Sequence, residues 1–290
     1  RLKMRVEGYA AQHWFRDSLG DTQAPEAPAP EARYHLHGVK IYADGALGSR
    51  GAALHKGYSD RPEHRGVLIT DADELTELST KAMGNGWQVA THAIGDRANR
   101  LVLDAYQAAH QRHARKDHRF RIEHAQIVTP TDVPEFAKLG VIASMQPTHA
   151  TSDMPWAGDR LGKERLAGAY AWRSFADAGV RLAFGSDFPV ESVEPTLGLY
   201  SAITRQDADG EPPEGWHPEQ RVTLDEAIAA FTRGAAYATH REEHFGQIKV
   251  GMQADLTGFA IDLAEAETTA LRSASVEFTI VGGEMVFRNH

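Results

Sequence analysis

The sequence predicts an α/β protein, built as one (β/α) barrel with a small β appendage at its C-terminal end. Three observations predict this. The 290 residues exceed a typical domain of about 100–200 residues but suit a barrel of about 250 with an addition. Short apolar runs ending in polar residues alternate with longer helix-like runs, the order expected of βαβ units on a parallel sheet. From Gln247 onward the pattern changes to strands separated by Gly turns. The division is therefore residues 1–245 for the barrel and 246–290 for the appendage.

Taken in order, residues 1–6 alternate with period two and read as a strand that opens without a start Met or a leader. Residues 14–20 carry polar turn residues. Residues 23–32 hold three prolines, which exclude a regular helix or a central strand and predict a surface loop. Strands are predicted at 39–43, 88–92, 119–124, 141–146 and 181–185. Helices are predicted between them at 71–84, opened by the Asp71-x-x-Glu74 capping box, and at 96–115, 130–139 and 168–178. Thr223-x-x-Glu226 opens a further helix over 224–239. A hairpin is expected at the end, with Gly282-Gly283 between strands at 277–281 and 284–287.

Hydrophobic residues make up 42% and charged residues 24%, and no apolar run approaches the 18 or so residues of a bilayer span, so neither a membrane protein nor a disordered chain is expected. The formal net charge of −9 and pI near 5.9 give no footprint for a phosphate backbone and argue against nucleic acid. A small-molecule substrate is the expected partner, a homo-oligomer is compatible with the sequence, and the cytoplasm is the expected compartment. With no Cys, a transition metal must be held by some of the 15 His and by carboxylates.

In a parallel barrel the reacting groups sit at the C-terminal ends of the strands, where the βα loops surround one cavity. The strand ends supply Lys40 with Tyr42 and Asp44 behind it, His92, His124, Gln146 with His149, and Asp187. His92 and His124 are 32 residues apart, about one βα unit, and His124 and Asp187 are 63 apart, about two. Imidazoles and a carboxylate at ~2.0–2.2 Å suit zinc or a similar ion. A lysine among them makes sense only if CO2 has converted its amine to a carbamate able to bridge two metals. The alternative is an ion pair between Lys40 and Asp44.

The residues that carry these groups resemble a known family. Val-Lys-Ile-Tyr-Ala-Asp-Gly-Ala-Leu-Gly-Ser-Arg-Gly-Ala at 39–52, Thr-His-Ala-Ile-Gly-Asp-Arg-Ala at 91–98, Ile-Glu-His-Ala-Gln at 122–126, Met-Gln-Pro-Thr-His at 145–149 and Gly-Ser-Asp-Phe-Pro-Val at 185–190 look like the amidohydrolase superfamily. More narrowly they look like its amidohydrolase 3 branch, which includes N-substituted formamide deformylases. The resemblance implies a (β/α)8 TIM-type barrel with a small β-sandwich appendage and a divalent metal site, usually zinc, of one or two ions. On that reading Lys40 is the carbamate bridge, His92 and His124 hold the more solvent-facing ion, and Asp187 is both ligand and catalytic proton shuttle. The implied activity is hydrolysis of a non-peptide C–N bond in an amide, N-formyl or cyclic amide group.

The family brings a His-x-His pair on the first barrel strand, and none precedes Arg1. The strand count then starts near the third barrel strand, and a missing N-terminal segment of the same protein is expected to supply the rest. A non-catalytic or regulatory relative that binds small molecules is the rival reading, and a metal-free hydrolase with two carboxylates a third. His35-x-His37 is expected to share a face with Val39, away from Lys40, unless a bulge intervenes. His240-Arg-Glu-Glu-His244 matches an inverted zincin pattern, but its place at a helix end favours a role against the helix dipole. The basic run from His110 to Arg121 reads as a solvated helix end. Gly45, Gly48 and Gly51 predict a flexible loop over the pocket, with Asp44 and Arg50 as substrate contacts. His149 is a candidate to reach the substrate or an oxyanion, with capping of its loop as the equal alternative. Glu123 is placed by alternation on the helix-facing side in a structural ion pair. Trp156 and Trp172 are candidates for an apolar wall or for core.

Overall fold

The computed structural model describes residues 2–289. Strands β1 (Val6–Ala11), β2 (Tyr34–Tyr42), β3 (Gln88–Ala93), β4 (Arg121–His124), β5 (Ile142–Met145) and β6 (Leu182–Phe184) form one sheet in sequential order. Every neighbouring pair is parallel. The connections after β2 carry helices α1 (Ala72–Gly84), α2 (Asp96–His113), α3 (Val133–Leu139), α4 (Pro147–Leu161) and α5 (Trp172–Asp177). After β6 come α6 (Pro195–Thr204) and α7 (Leu224–Ala229), the latter continued by a π-type turn at Ala230–Gly234 and a last turn at Ala235–Ala238.

The sheet has six strands, the number expected of a chain that starts near the third of eight barrel strands. β1 and β6 are the outer strands and do not pair with each other, so among the described residues the sheet is open. The C-terminal appendage is present as one layer. β7 (Leu256–Phe259), β8 (Val276–Val281) and β9 (Glu284–Arg288) form a single antiparallel sheet, with residues 260–275 spent on turns and a short 3-10 segment instead of a facing layer. Gly282 and Gly283 make the expected tight turn, both with positive φ. The sheet is tied to the start of the chain by Arg5, whose Nε donates to Asp255 Oδ2 at 2.6 Å, and by Arg33, which donates to the Val281 carbonyl at 3.0 Å.

Local signals explain most of the elements. Asp71 caps α1 by accepting from the Glu74 amide at 2.9 Å, and Thr223 and Glu226 form both halves of the capping box that opens α7. Gly140, with φ +67, ends α3. The first strand differs. Pairing of Val6 with Tyr34 starts β1 where the period-two stretch ends, because parallel pairing begins only after the proline loop; Arg1 lies outside the described residues. α4 and α6 were not anticipated from the sequence. Each opens with a proline at its first turn, where proline costs no hydrogen bond, and Pro155 inside α4 disguises the helical period.

Val39 and Ile41 of β2, Val89 of β3 and Ile122 of β4 are fully buried in one core with Leu75 and Leu78 of α1 and Val102, Leu103 and Tyr106 of α2. Trp172 belongs to this core, whereas Trp156 is only partly buried and covers Gly48. This packing leaves the opposite face of β2, β3 and β4 free for polar groups. Gly95 opens α2 so close to the preceding loop that an added Cβ would lie 2.0 Å from the Ala53 carbonyl oxygen. Gly95→Ala is therefore expected to lose at least about 1–3 kcal/mol, read as a lower urea midpoint. Gly185→Ala, whose Cβ would meet no atom within 4 Å, should unfold close to the parent.

Candidate metal centre

Register decides which side chains meet. Lys40, Ala90 and Arg121 stand side by side across β2, β3 and β4, and two residues later Tyr42, His92 and Glu123 do the same. Alternation sends all of these to the face opposite the helix-packed core. Glu123 thus points into the cavity, which corrects its predicted helix-facing placement; Ile122 is the residue beneath the helices. The expected ion pair is present, because Arg121 Nε donates to Glu123 Oε1 at 2.5 Å. Burial opposes ionisation of Glu123, but the charges of Arg121 and Lys40 outweigh it and hold its pKa below the usual value.

His124 sits opposite Ala93, a position that alternation would send to the helices. The backbone takes φ +75 at His124 and +43 at Ala125, and the ring lies 4.5 Å from that of His92, centroid to centroid. Asp187 also has positive φ, +56. Non-glycine residues in this region carry strain that is retained where geometry is functional. Lys40, Arg121, Glu123, His124, Gln146 and Asp187 line a cavity of about 200 Å³ with Tyr9 and Ala90.

His149, in the first turn of α4, stacks over His124 with centroids 5.6 Å apart. Its Nε2 is 3.8 Å from Asp187 Oδ2 and 3.9 Å from Glu191 Oε1. One ligand atom from each of His124, His149 and Asp187 lies within 4.8 Å of the others. The donor set suits a divalent ion. His92 Nε2 and His149 Nε2 are buried without hydrogen-bond partners. His124 Nδ1 meets Gln146 Oε1 at 2.8 Å, which fixes the tautomer and leaves Nε2 as the ligand atom. Burial lowers the pKa of His92 to about 4, helped by the charge of Lys40, lowers that of His124 to about 3, helped by His92, and lowers that of His149. All three imidazoles are neutral at pH 7 and keep a lone pair.

Lys40 makes no ion pair with Asp44; its Nζ lies 4.9 Å from the centre of the Tyr42 ring. Burial lowers its pKa against the opposing charge of Glu123. Asp44 is not placed to touch a substrate. It has no exposed surface, and its oxygens accept from the amides of Ala53 at 2.8 Å, Ile94 at 2.9 Å and Gly95 at 2.8 Å, with His92 Nε2 3.5 Å away. Arg50 is spent on Asp60 through two hydrogen bonds of 3.0 and 2.9 Å, outside the cavity lining.

The amidohydrolase family model matches residues 9–287. The chain belongs to the amidohydrolase family. It is 35% identical over 249 residues to the putative amidohydrolase YtcJ of Bacillus subtilis, covering 86% of this chain and 46% of that protein. It is 30% identical over 283 residues to the N-substituted formamide deformylase of Arthrobacter pascens, covering 95% and 50%. A solved uncharacterized metal-dependent hydrolase from Pyrococcus furiosus superposes with a TM-score of 0.75 at 31% identity, over 88% of this chain and 50% of that one. The chain thus spans about half the length of these relatives.

Arg121 and Glu191 are not among the site residues expected from the sequence, and Glu123 is expected on the opposite face. Glu123 and Arg121 could have been found by counting register from Lys40 instead of backward from His124. Glu191 follows Asp187 on an irregular loop and accepts from Ser152 Oγ at 2.6 Å, a contact with no spacing signal. Beside the site, Asp153 accepts from Gln126 Nε2 at 2.9 Å and from the Tyr170 hydroxyl at 2.5 Å. Burial raises its pKa to about 6. A carboxyl whose pKa is higher folded than unfolded favours the fold below pH 4 and loses that contribution as pH rises through 6. Asp153→Asn is expected to melt roughly 2–6 °C above the parent at pH 8, with the gap closing toward pH 4 in thermal scans.

Proposed function

We propose that this chain carries a metal-dependent hydrolase site that cleaves a non-peptide C–N bond in an amide, N-formyl or cyclic amide group. The observation that carries the reading is the set of neutral, buried imidazoles with unpartnered nitrogens beside the Asp187 carboxylate. The formamide deformylase relative supports the bond type, and the metal-dependent hydrolase neighbour supports the chemistry.

Lys40, His92, His124 and Asp187 would hold the ion, for which zinc suits the nitrogen and oxygen donors. Such an ion lowers the pKa of water toward about 7 and polarises a carbonyl. Asp187 takes the proton of the attacking water on its carboxylate and delivers it to the leaving nitrogen. His149, across from Asp187, faces the substrate carbonyl oxygen. The lowered pKa of Lys40 favours the free amine, the form that takes up CO2 to give a carbamate and a proton; Arg121 stands in the same cavity to balance that charge.

Asp187→Asn is expected to keep the circular dichroism spectrum and lose about 10²–10⁴-fold in kcat on a panel of N-formyl and cyclic amides. A chelator should abolish turnover in the parent and zinc restore it. Unchanged turnover in Asp187→Asn would remove the assigned role. Tight ligand binding without turnover, in protein that takes up no metal at this site, would return the non-catalytic reading.

A further inference from the structure

We propose that the N-terminal half of the sheet holds a second site for a divalent transition-metal ion, formed by Glu7, His35 and His37, with His240 packed beside His37. The site is distinct from the centre around His124, since it draws on β1 and the first half of β2.

A register shift on β1 between Gly8 and Tyr9 creates it. Gly8 pairs with Leu36 and Tyr9 with Gly38, so His37 is an extra residue on β2. The bulge reverses the alternation before it, and His35 and His37 share the face of Glu7, which pairs with His35. One ligand atom from each of Glu7, His35 and His37 lies within 4.8 Å of the others. Glu7 Oε2 and His35 Nδ1 are 3.1 Å apart, close to the edge of about 3.3 Å that a tetrahedral ion with ligands at ~2.0–2.1 Å would impose. The His37 ring centre is 5.3 Å from that of His35 and 5.6 Å from that of His240.

Four nitrogens in this cluster are buried without a partner: His35 Nε2, both nitrogens of His37, and His240 Nε2. A neutral imidazole with neither nitrogen bonded is a costly thing to bury, and native cores satisfy such groups. Burial also depresses the pKa of His37 to about 3 and of His240 to about 4, leaving both as lone-pair donors. Arg241 Nη1 donates to Glu7 Oε1 at 3.3 Å, and Glu7 Oε2, in a hydrogen bond with His35 Nδ1 at 3.1 Å, is the oxygen an ion would take over. Two imidazoles and one carboxylate without thiolates suit Zn²⁺, Ni²⁺ or Co²⁺ over Mg²⁺ or Ca²⁺. Bound there, the ion would join β1 to β2, with the His240 ring packed against His37.

The test is equilibrium dialysis of the 290-residue chain against Co²⁺ and Zn²⁺, with bound metal counted per chain. A His35→Gln/His37→Gln variant with parental circular dichroism is expected to bind one ion fewer than the parent. A His92→Asn/His124→Asn/His149→Asn variant is expected to retain one ion per chain, with a nitrogen-rich first shell by X-ray absorption and a melting temperature that rises on adding Zn²⁺. Equal metal content in the parent and the His35/His37 variant would overturn the proposal. So would loss of all metal from the His92/His124/His149 variant, which would mean that water fills the cluster. If the His35/His37 variant fails to fold, the retained ion and its ligand shell decide the matter alone.

Discussion

One buried carboxylate holds the candidate site in shape. Asp44 sits just past the end of β2 and accepts three backbone amides, one from its own βα loop at Ala53 and two from the loop that follows β3, at Ile94 and Gly95. These bonds fix the two loops to each other and leave an Asp44 oxygen 3.5 Å from His92 Nε2. Burial raises the pKa of Asp44 to about 7 while the three amides pull against it. The tight approach of Gly95 to the Ala53 carbonyl follows from the same junction. Both Asp44 and Gly95 lie within motifs that carry the family resemblance, and their physical role is to place His92 relative to Lys40.

A second constraint is the charge balance beneath His92, His124 and His149. Lys40, Arg121, Glu123 and Asp187 line one cavity, two basic groups against two acidic ones. Glu123 is kept ionised by Arg121 and Lys40, and the Lys40 amine is weakened by burial. The three imidazoles beside this cavity are neutral, and Asp187 sits on an exposed loop position with positive φ.

Much of this was legible in the residues. The capping boxes at Asp71 and Thr223, the glycine stop at Gly140 and the Gly282-Gly283 turn act within a few residues, so their structures follow from local chemistry. The rule that polar groups terminate parallel strands locates the strand ends; Lys40, His124 and Asp187 line one cavity, and the His92 and His149 rings pack against His124. The misplacements were of another kind. Glu123 was sent to the wrong face because His124 was assumed to alternate regularly, and the left-handed backbone at His124 breaks that assumption. Asp44 and Arg50 were read as substrate contacts because their nearest partners, the Ile94 and Gly95 amides and Asp60, were invisible in spacing.

By itself the sequence determined the α/β class, the order of strands and helices, the family and the residue types able to bind a metal, because these depend on local periodicity and on motifs. Tertiary structure alone decided which face each side chain occupies, through the β1–β2 bulge that gathers His35 and His37 with Glu7 and through the positive φ of His124 and Asp187. It also decided the strand register and, among the described residues, that β1 and β6 form the two edges of the sheet. The physical reason is that register, bulges and hydrogen bonds between loops join residues far apart in the chain, and no local pattern carries that information.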